Sequence, residues 1–222
     1  MIQKSEWENF FSNNQATEWY PSEPVVRLFC SYHKKHGSSG VKVLDLGCGN
    51  GRHVWLASKE GFSAYGIDLS DYAINLAKDW MARDHMPYAD LRSGNIADTL
   101  PYEDNFFDII VSYGALDHMI LVDATSALAE AKRVLKPGGI IFLKLESNTS
   151  FTFDAERQFA KNEIILEKAV EKGMVQHFFD KKEVEEFVRP FTQIKASRDD
   201  SRHFDDLDKN YQSRWIFIGK KS

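Results

Sequence analysis

The chain has 222 residues, 43% hydrophobic and 27% charged, which excludes wholesale disorder and suits one soluble domain with its own core. Its formal charge of −5, from 33 acidic and 28 basic residues, opposes a phosphate backbone, so nucleic acid is not an expected partner. Two cysteines, Cys30 and Cys48, are too few for a disulfide framework or a thiolate zinc site, and no apolar run approaches the roughly 20 residues of a membrane span.

The polar start carries Glu6 and Glu8 and has no basic-then-apolar leader pattern, so a reducing, cytoplasmic setting is expected. Ser5, with Glu8 three residues later, reads as a capping box opening a helix over residues 5–11. Asn13 and Asn14 end it. Trp19, Tyr20 and Pro21 form an aromatic turn. Ser22 is placed to cap a second helix with Pro24 in its first turn, and Gly37 stops that helix. From Val41 strands and helices alternate. Strands are predicted over residues 41–46, 62–67, 88–93, 106–113 and 140–145, with helices over 52–60, 70–82 and 123–135. Ser70 is the expected cap of the second of these helices. The run Ile109-Ile110-Val111 suits a strand buried on both faces.

A further helix is predicted over residues 156–172. Another runs from Asp180 to Val188, opened by the capping pair Asp180 and Glu183. Two last strands, residues 191–197 and 214–219, are joined by a polar, Asp-rich link with no helix, which implies antiparallel pairing. The class expected is therefore α/β, a doubly wound sheet of five parallel strands with a hairpin at one edge. It is read as a single domain, with residues 1–40 as a helical cap and residues 41–222 as the core.

The strongest chemical signal is the strand Val41 to Leu46 running into Gly47-Cys48-Gly49-Asn50-Gly51 and a helix at Arg52. Glycines allow a sharp turn and a close backbone approach to a ligand, and a helix start offers unpaired N–H groups. Asp68 ends the second strand about 20 residues on, where an acid can accept both ribose hydroxyls of a nucleotide. Ser70 is the better cap for the next helix, which leaves Asp68 free for that role. A dinucleotide fingerprint requires a small third residue at position 52, and Arg52 stands there. An NAD-type oxidoreductase is therefore disfavoured.

The spacing Asp45-x-Gly47-x-Gly49-x-Gly51, with the terminal hairpin, resembles the class I S-adenosylmethionine-dependent methyltransferases. So do Ser93-Gly94-Asn95-Ile96 after the third strand, the stretch from Leu100 to Asp108 leading into the fourth, and Arg133-Val134-Leu135-Lys136-Pro137-Gly138-Gly139 before the fifth. The resemblance implies a Rossmann-like seven-stranded sheet of order 3-2-1-4-5-7-6, with the last strand antiparallel. It also implies S-adenosylmethionine as cofactor. Gly47, Cys48, Gly49 and Gly51 would wrap its amino-acid part, with Asp45 ordering the loop or meeting the ammonium group. Arg52 would pair with the carboxylate or stand as a surface residue at a helix start. Asp68 would hold the ribose. Asn95, with Leu69 and Ile96, would form the adenine pocket, and Ser112 would complete the site at the end of the fourth strand.

The segment Ser112-Tyr113-Gly114-Ala115-Leu116-Asp117-His118 lacks both the Asn/Asp-Pro-Pro-aromatic motif of nucleic-acid amino-methyltransferases and the Pro-Cys of cytosine-carbon enzymes. The resemblance that remains is to small-molecule methyltransferases. Tyr113 and His118 are the candidate catalytic residues, although a lone histidine is more often structural and Tyr113 could shape the pocket or simply pack. The acceptor pocket is expected from Trp19, Tyr20, Phe151 and His177, with Trp7 assigned to packing. His33, His36, His85 and His203 show no pairing with carboxylates or cysteines, and no metal is expected. A monomer or homodimer acting on a small molecule is the leading expectation. The alternatives are a non-catalytic S-adenosylmethionine-binding regulator and a protein or RNA methyltransferase.

Overall fold

The structure is a computed structural model describing residues 4–13, 19–150, 153–167, 171–202 and 211–222. Two helices come first, α1 (Lys4–Ser12) and α2 (Glu23–His36). The alternating part follows as β1 (Lys42–Leu46), α3 (Arg52–Lys59), β2 (Ser63–Asp68), α4 (Asp71–Arg83), β3 (Asp90–Ser93), β4 (Phe107–Tyr113), α5 (Leu121–Val134) and β5 (Leu135–Glu146). The chain ends with β6 (Glu163–Ile165), β7 (Val175–His177), α6 (Lys181–Phe187), β8 (Thr192–Arg202) and β9 (Tyr211–Lys220).

Seven strands form one sheet in the order β3-β2-β1-β4-β5-β9-β8. β1 to β5 run parallel, and β9 is antiparallel to both β5 and β8. With β6 and β7 set apart as a separate pair, this is the expected 3-2-1-4-5-7-6 order. The order reverses between β1 and β4, and ligands of open α/β sheets bind at the carboxyl ends of the strands flanking that reversal. Asp45 and Ser112 lie there.

Apolar residues of the central strands point alternately to the two faces, and each face has its own core. Leu44, Ile110, Leu143 and Phe217 pack with α5 and α6 on one side. Val43, Ile109, Val111 and Phe142 pack with α2, α3 and α4 on the other. Val25 and Phe29 of α2 are fully buried in the second core. Burying such a side chain stabilises the fold by about 1.5–3 kcal/mol.

Three local expectations change. The described residues of the 156–172 span are not an α-helix. A 3₁₀ turn over Ala155–Arg157 is followed by β6, which pairs antiparallel with β7. Ile164 and Leu166 are buried with Phe178 in a small core of their own, while Ile165 is exposed. That alternation has the period of a strand, and Asn162 at φ +59 turns the chain into it. Ser5 lies inside α1 and bonds Glu6, not the helix start, and Glu8 serves another helix. β5 begins at Leu135, directly after α5, so the Lys136-Pro137-Gly138-Gly139 stretch lies within the strand. Ser70 does cap α4, accepting from the Ala73 N–H at 3.1 Å, and Asp180 and Glu183 complete a capping box on α6.

Candidate functional site

β1 delivers Asp45 to the reversal point, 3% exposed. Its Oδ2 atom is buried without a hydrogen-bond partner. The loop after it has Gly47, Gly49 and Gly51 all at positive φ. At Gly47 an added Cβ would stand 2.2 Å from the Ala115 Cβ, and at Gly51 it would stand 2.7 Å from the Ala77 Cβ. Only glycine fits both the conformation and the space. Cys48 is buried in the core beside β1, and burial raises its thiol well above the usual range. It is a poor nucleophile there.

Asp68, at the end of β2, is 8% exposed. Its Oδ2 accepts from the Gly49 N–H at 2.8 Å and its Oδ1 from the Ser70 N–H at 2.9 Å. One carboxylate thus ties the glycine loop to the start of α4. Each oxygen keeps a second lone pair for a further donor. Burial pushes its pKa up to about 6, against the pull of those two N–H groups. Leu69 beside it is half-buried and Ile96 is 8% exposed. Asn95 Oδ1 accepts from the Ala97 N–H at 2.9 Å, and its amide donates to Asp98 at 3.1 Å. Ser112 Oγ, at the end of β4, is buried and unpartnered.

α1 lies across this groove. Phe11 packs against the glycine loop, so that a Cβ on Gly49 would meet its ring at 3.2 Å. Trp7 stands edge-on to His118, with ring centroids 5.2 Å apart. His118 ends the 3₁₀ turn Leu116–His118; its Nδ1 is buried and unpartnered, and its Nε2 lies 3.7 Å from Glu171. The residue before it, missed in the sequence, anchors the turn. Asp117 is fully buried, accepts from Lys144 Nζ and the Glu146 N–H, both at 3.1 Å, and Lys144 also reaches Glu146 at 2.9 Å. Burial by itself would lower the Lys144 pKa, but the two carboxylates outweigh it and raise it. Lys144 and Glu146 lie two residues apart on β5, and Asp117 reaches them from the turn after β4, so the trio leaves no local signature in the sequence.

Trp19, Tyr20, Arg52 and Tyr113 do come together. With Ser22, Glu23, Pro24 and Asp199 they line a cavity of about 410 Å³ that is open to solvent, Tyr20 being 87% exposed. Arg52 Nη1 donates to the Tyr20 carbonyl at 3.4 Å, and its guanidinium stands 5.2 Å from the Tyr113 ring. His53, which follows Arg52 in the chain, sits behind this wall and is 3% exposed. His177 does not reach the cavity. It is fully buried between Glu163 and Glu183, at 3.4 and 3.5 Å, and burial lowers its pKa against their pull. It joins β7, β6 and α6. Phe151 and His203 lie outside the described residues. The expectation for His33 is corrected: its Nδ1 lies 3.1 Å from Glu60 Oε2. Among the described residues no three His, Cys, Asp or Glu side chains gather as a metal site requires, and no helix is long and apolar enough to cross a membrane.

Residues 44–143 match the methyltransferase domain family. Over 111 residues, covering 49% of this chain and 38% of the relative, the chain is 37% identical to methyltransferase GfsG of Streptomyces halstedii. It is 30% identical over 132 residues to the ubiquinone biosynthesis O-methyltransferase of Pasteurella multocida, covering 56% of this chain and 54% of that one. The chain thus spans about half or less of the length of these curated relatives. Its fold is similar to that of a Burkholderia thailandensis 1,6-didemethyltoxoflavin-N1-methyltransferase solved with bound 1,6-didemethyltoxoflavin and S-adenosylhomocysteine. The TM-score is 0.68 at 17% identity, over 99% of this chain and 87% of the other.

Proposed function

From the premise that residues 44–143 are a methyltransferase domain on a class I S-adenosylmethionine-dependent methyltransferase fold, we propose that the chain transfers a methyl group from S-adenosylmethionine to a small-molecule acceptor. The observation that carries this reading is the pairing of a glycine loop at positive φ with two buried carboxylates, Asp45 and Asp68, at the carboxyl ends of β1 and β2. The residues fit the cofactor. The orphaned Asp45 Oδ2 suits an ammonium group, the open lone pairs of Asp68 suit vicinal ribose hydroxyls, and the orphaned Ser112 Oγ adds a polar atom beside them. Arg52 would take the carboxylate in its guanidinium fork. Leu69, Ile96 and Asn95 would receive the adenine.

When bound, the cofactor supplies an activated methyl group on a sulfonium. The chain's own residues bind, orient and exclude water. Asp68 and the glycine loop fix the donor end. The cavity of Trp19, Tyr20 and Tyr113 would present the acceptor, its aromatic faces suiting a planar or apolar molecule. α1 covers the groove between the two ends and keeps water from it. Alignment of nucleophile and methyl group carries most of the rate in such a displacement. The whole chain is read as one unit, with residues 1–40 as its cap. Two free cysteines suit a reducing, cytoplasmic setting.

The test is thermal unfolding with product cofactor. S-adenosylhomocysteine at about 100 times its dissociation constant adds roughly 2.7 kcal/mol of stability. A shift with NAD and none with S-adenosylhomocysteine rejects the reading. A screen of acceptors with radiolabelled methyl donor then separates an enzyme from a non-catalytic binder.

A further inference from the structure

One cluster of titratable side chains runs from β1 to the cavity wall. His53 Nε2 lies 2.9 Å from Ser22 Oγ and accepts from the Ser22 backbone N–H at 3.3 Å. A backbone N–H can only donate, so Nε2 is the unprotonated nitrogen and the ring proton sits on Nδ1. Nδ1 faces the orphaned Asp45 Oδ2 at 3.6 Å, both side chains being 4% exposed.

Ser22 stands at the N-cap of α2, yet its hydroxyl caps nothing. Pro24 has no N–H to offer, and the Val25 N–H already bonds the Ser22 carbonyl at 3.0 Å. The hydroxyl is left to join His53 to the cavity that Ser22 lines. His118 differs. It is not among the lining residues, and Trp7 and Glu171 flank it.

We propose that Ser22, His53 and Asp45 form a proton relay for an acceptor that must lose a proton, a hydroxyl or phenol bound in the cavity. This rests on the reading of the cavity as the acceptor site. The acceptor O–H donates to Ser22 Oγ. As the acceptor oxygen bonds to the methyl carbon, the carbon–sulfur electron pair leaves with sulfur. The acceptor proton passes to Ser22 Oγ while the Ser22 hydroxyl proton moves to His53 Nε2. The imidazolium so formed is held opposite Asp45 and releases its proton to solvent as product departs. The charged and titratable groups facing His53 are Asp45 from β1, Tyr113 from β4, with ring centroids 5.5 Å apart, and its neighbour Arg52 on α3. Glu23 and Asp199 stand farther out on the cavity wall.

Long-range proton–nitrogen NMR on ¹⁵N-histidine protein without cofactor reads the tautomer, with His53→Gln assigning the signal. The Nδ1–H form is expected. An Nε2–H form overturns the relay, because that nitrogen could not then receive the Ser22 proton. The second arm is kinetic, with a hydroxyl acceptor taken from the screen. His53→Gln lowers kcat/KM for the acceptor about 100-fold or more and, with cofactor kept saturating at every pH so that Asp68 does not contribute, changes the pH profile. Ser22→Ala lowers it about tenfold. Ser22→Ala keeps the wild-type affinity for S-adenosylhomocysteine. A His53→Gln enzyme with an unchanged pH profile overturns the relay while the methyltransferase reading stands. Failure of the wild type to bind S-adenosylhomocysteine overturns that reading, and the relay with it.

Discussion

Glu8 closes the start of α4 from outside the helix: its Oε1 accepts from the Asp71 backbone N–H at 2.6 Å, and its Oε2 from the Tyr72 N–H at 3.2 Å. Ser70 supplies the next cap, to Ala73. A carboxylate there also meets the positive end of the helix dipole. Glu8→Ala is expected to cost about 1 kcal/mol, the usual value of a cap. It should also make α1 the first site of limited proteolysis. Thermal unfolding and peptide mapping of the nicked protein check both effects.

On the proposed function, Asp68 should make cofactor binding depend on pH. Burial raises its folded pKa from 3.8 to about 6. Its own contribution to stability is therefore complete below about pH 4 and is lost as pH rises through about 6. Ribose hydroxyls need the ionised carboxylate as acceptor, so binding has the opposite sign. The dissociation constant of S-adenosylhomocysteine should rise about tenfold per pH unit below about 6. Titration calorimetry from about pH 4.5 to about pH 8 checks this. Asp68→Asn should bind more weakly and lose the slope.

Gly47→Ala should be among the most damaging small substitutions. The residue has φ +71, and the new methyl group would collide with Ala115 at 2.2 Å. Left-handed strain and overpacking together amount to about 2–5 kcal/mol. Denaturant unfolding measures the loss. Gly37→Ala, at a similar φ with nothing within 4 Å, isolates the strain alone.

Lys144→Met would leave Asp117 buried without its lysine, while Glu146 keeps Arg214 at 3.6 Å. Removing one member of such a group costs about 3–5 kcal/mol, more than its attraction contributes, because the remaining charges stay desolvated. The double variant Lys144→Met with Asp117→Asn should recover part of the loss. A double-mutant cycle in urea checks the coupling.

Much of the core was legible because local signals agreed. Ile109, Ile110 and Val111 announced a strand covered on both faces, and Ser70 announced the start of α4. Residues 156–172 were misread because a short strand and a buried helix segment share apolar runs; the flanking turns at Asn162 and Gly173, both at positive φ, were the overlooked signal. Glu8 was assigned to its own helix because a capping box is a local pattern, whereas its partners are 63 and 64 residues away.

The strand order followed from the family resemblance; by itself the sequence determined the class of fold and the positions of the glycine loop, Asp45 and Asp68. These depend on backbone conformation and on spacing along one chain, which a sequence carries directly. Only the tertiary structure decided that Ser22 serves His53 and not its helix, that His177 is enclosed by two glutamates, and that Lys144 holds Asp117 and Glu146. In each case burial strips away water, and the polar group must then take whichever partner the packed fold brings within reach.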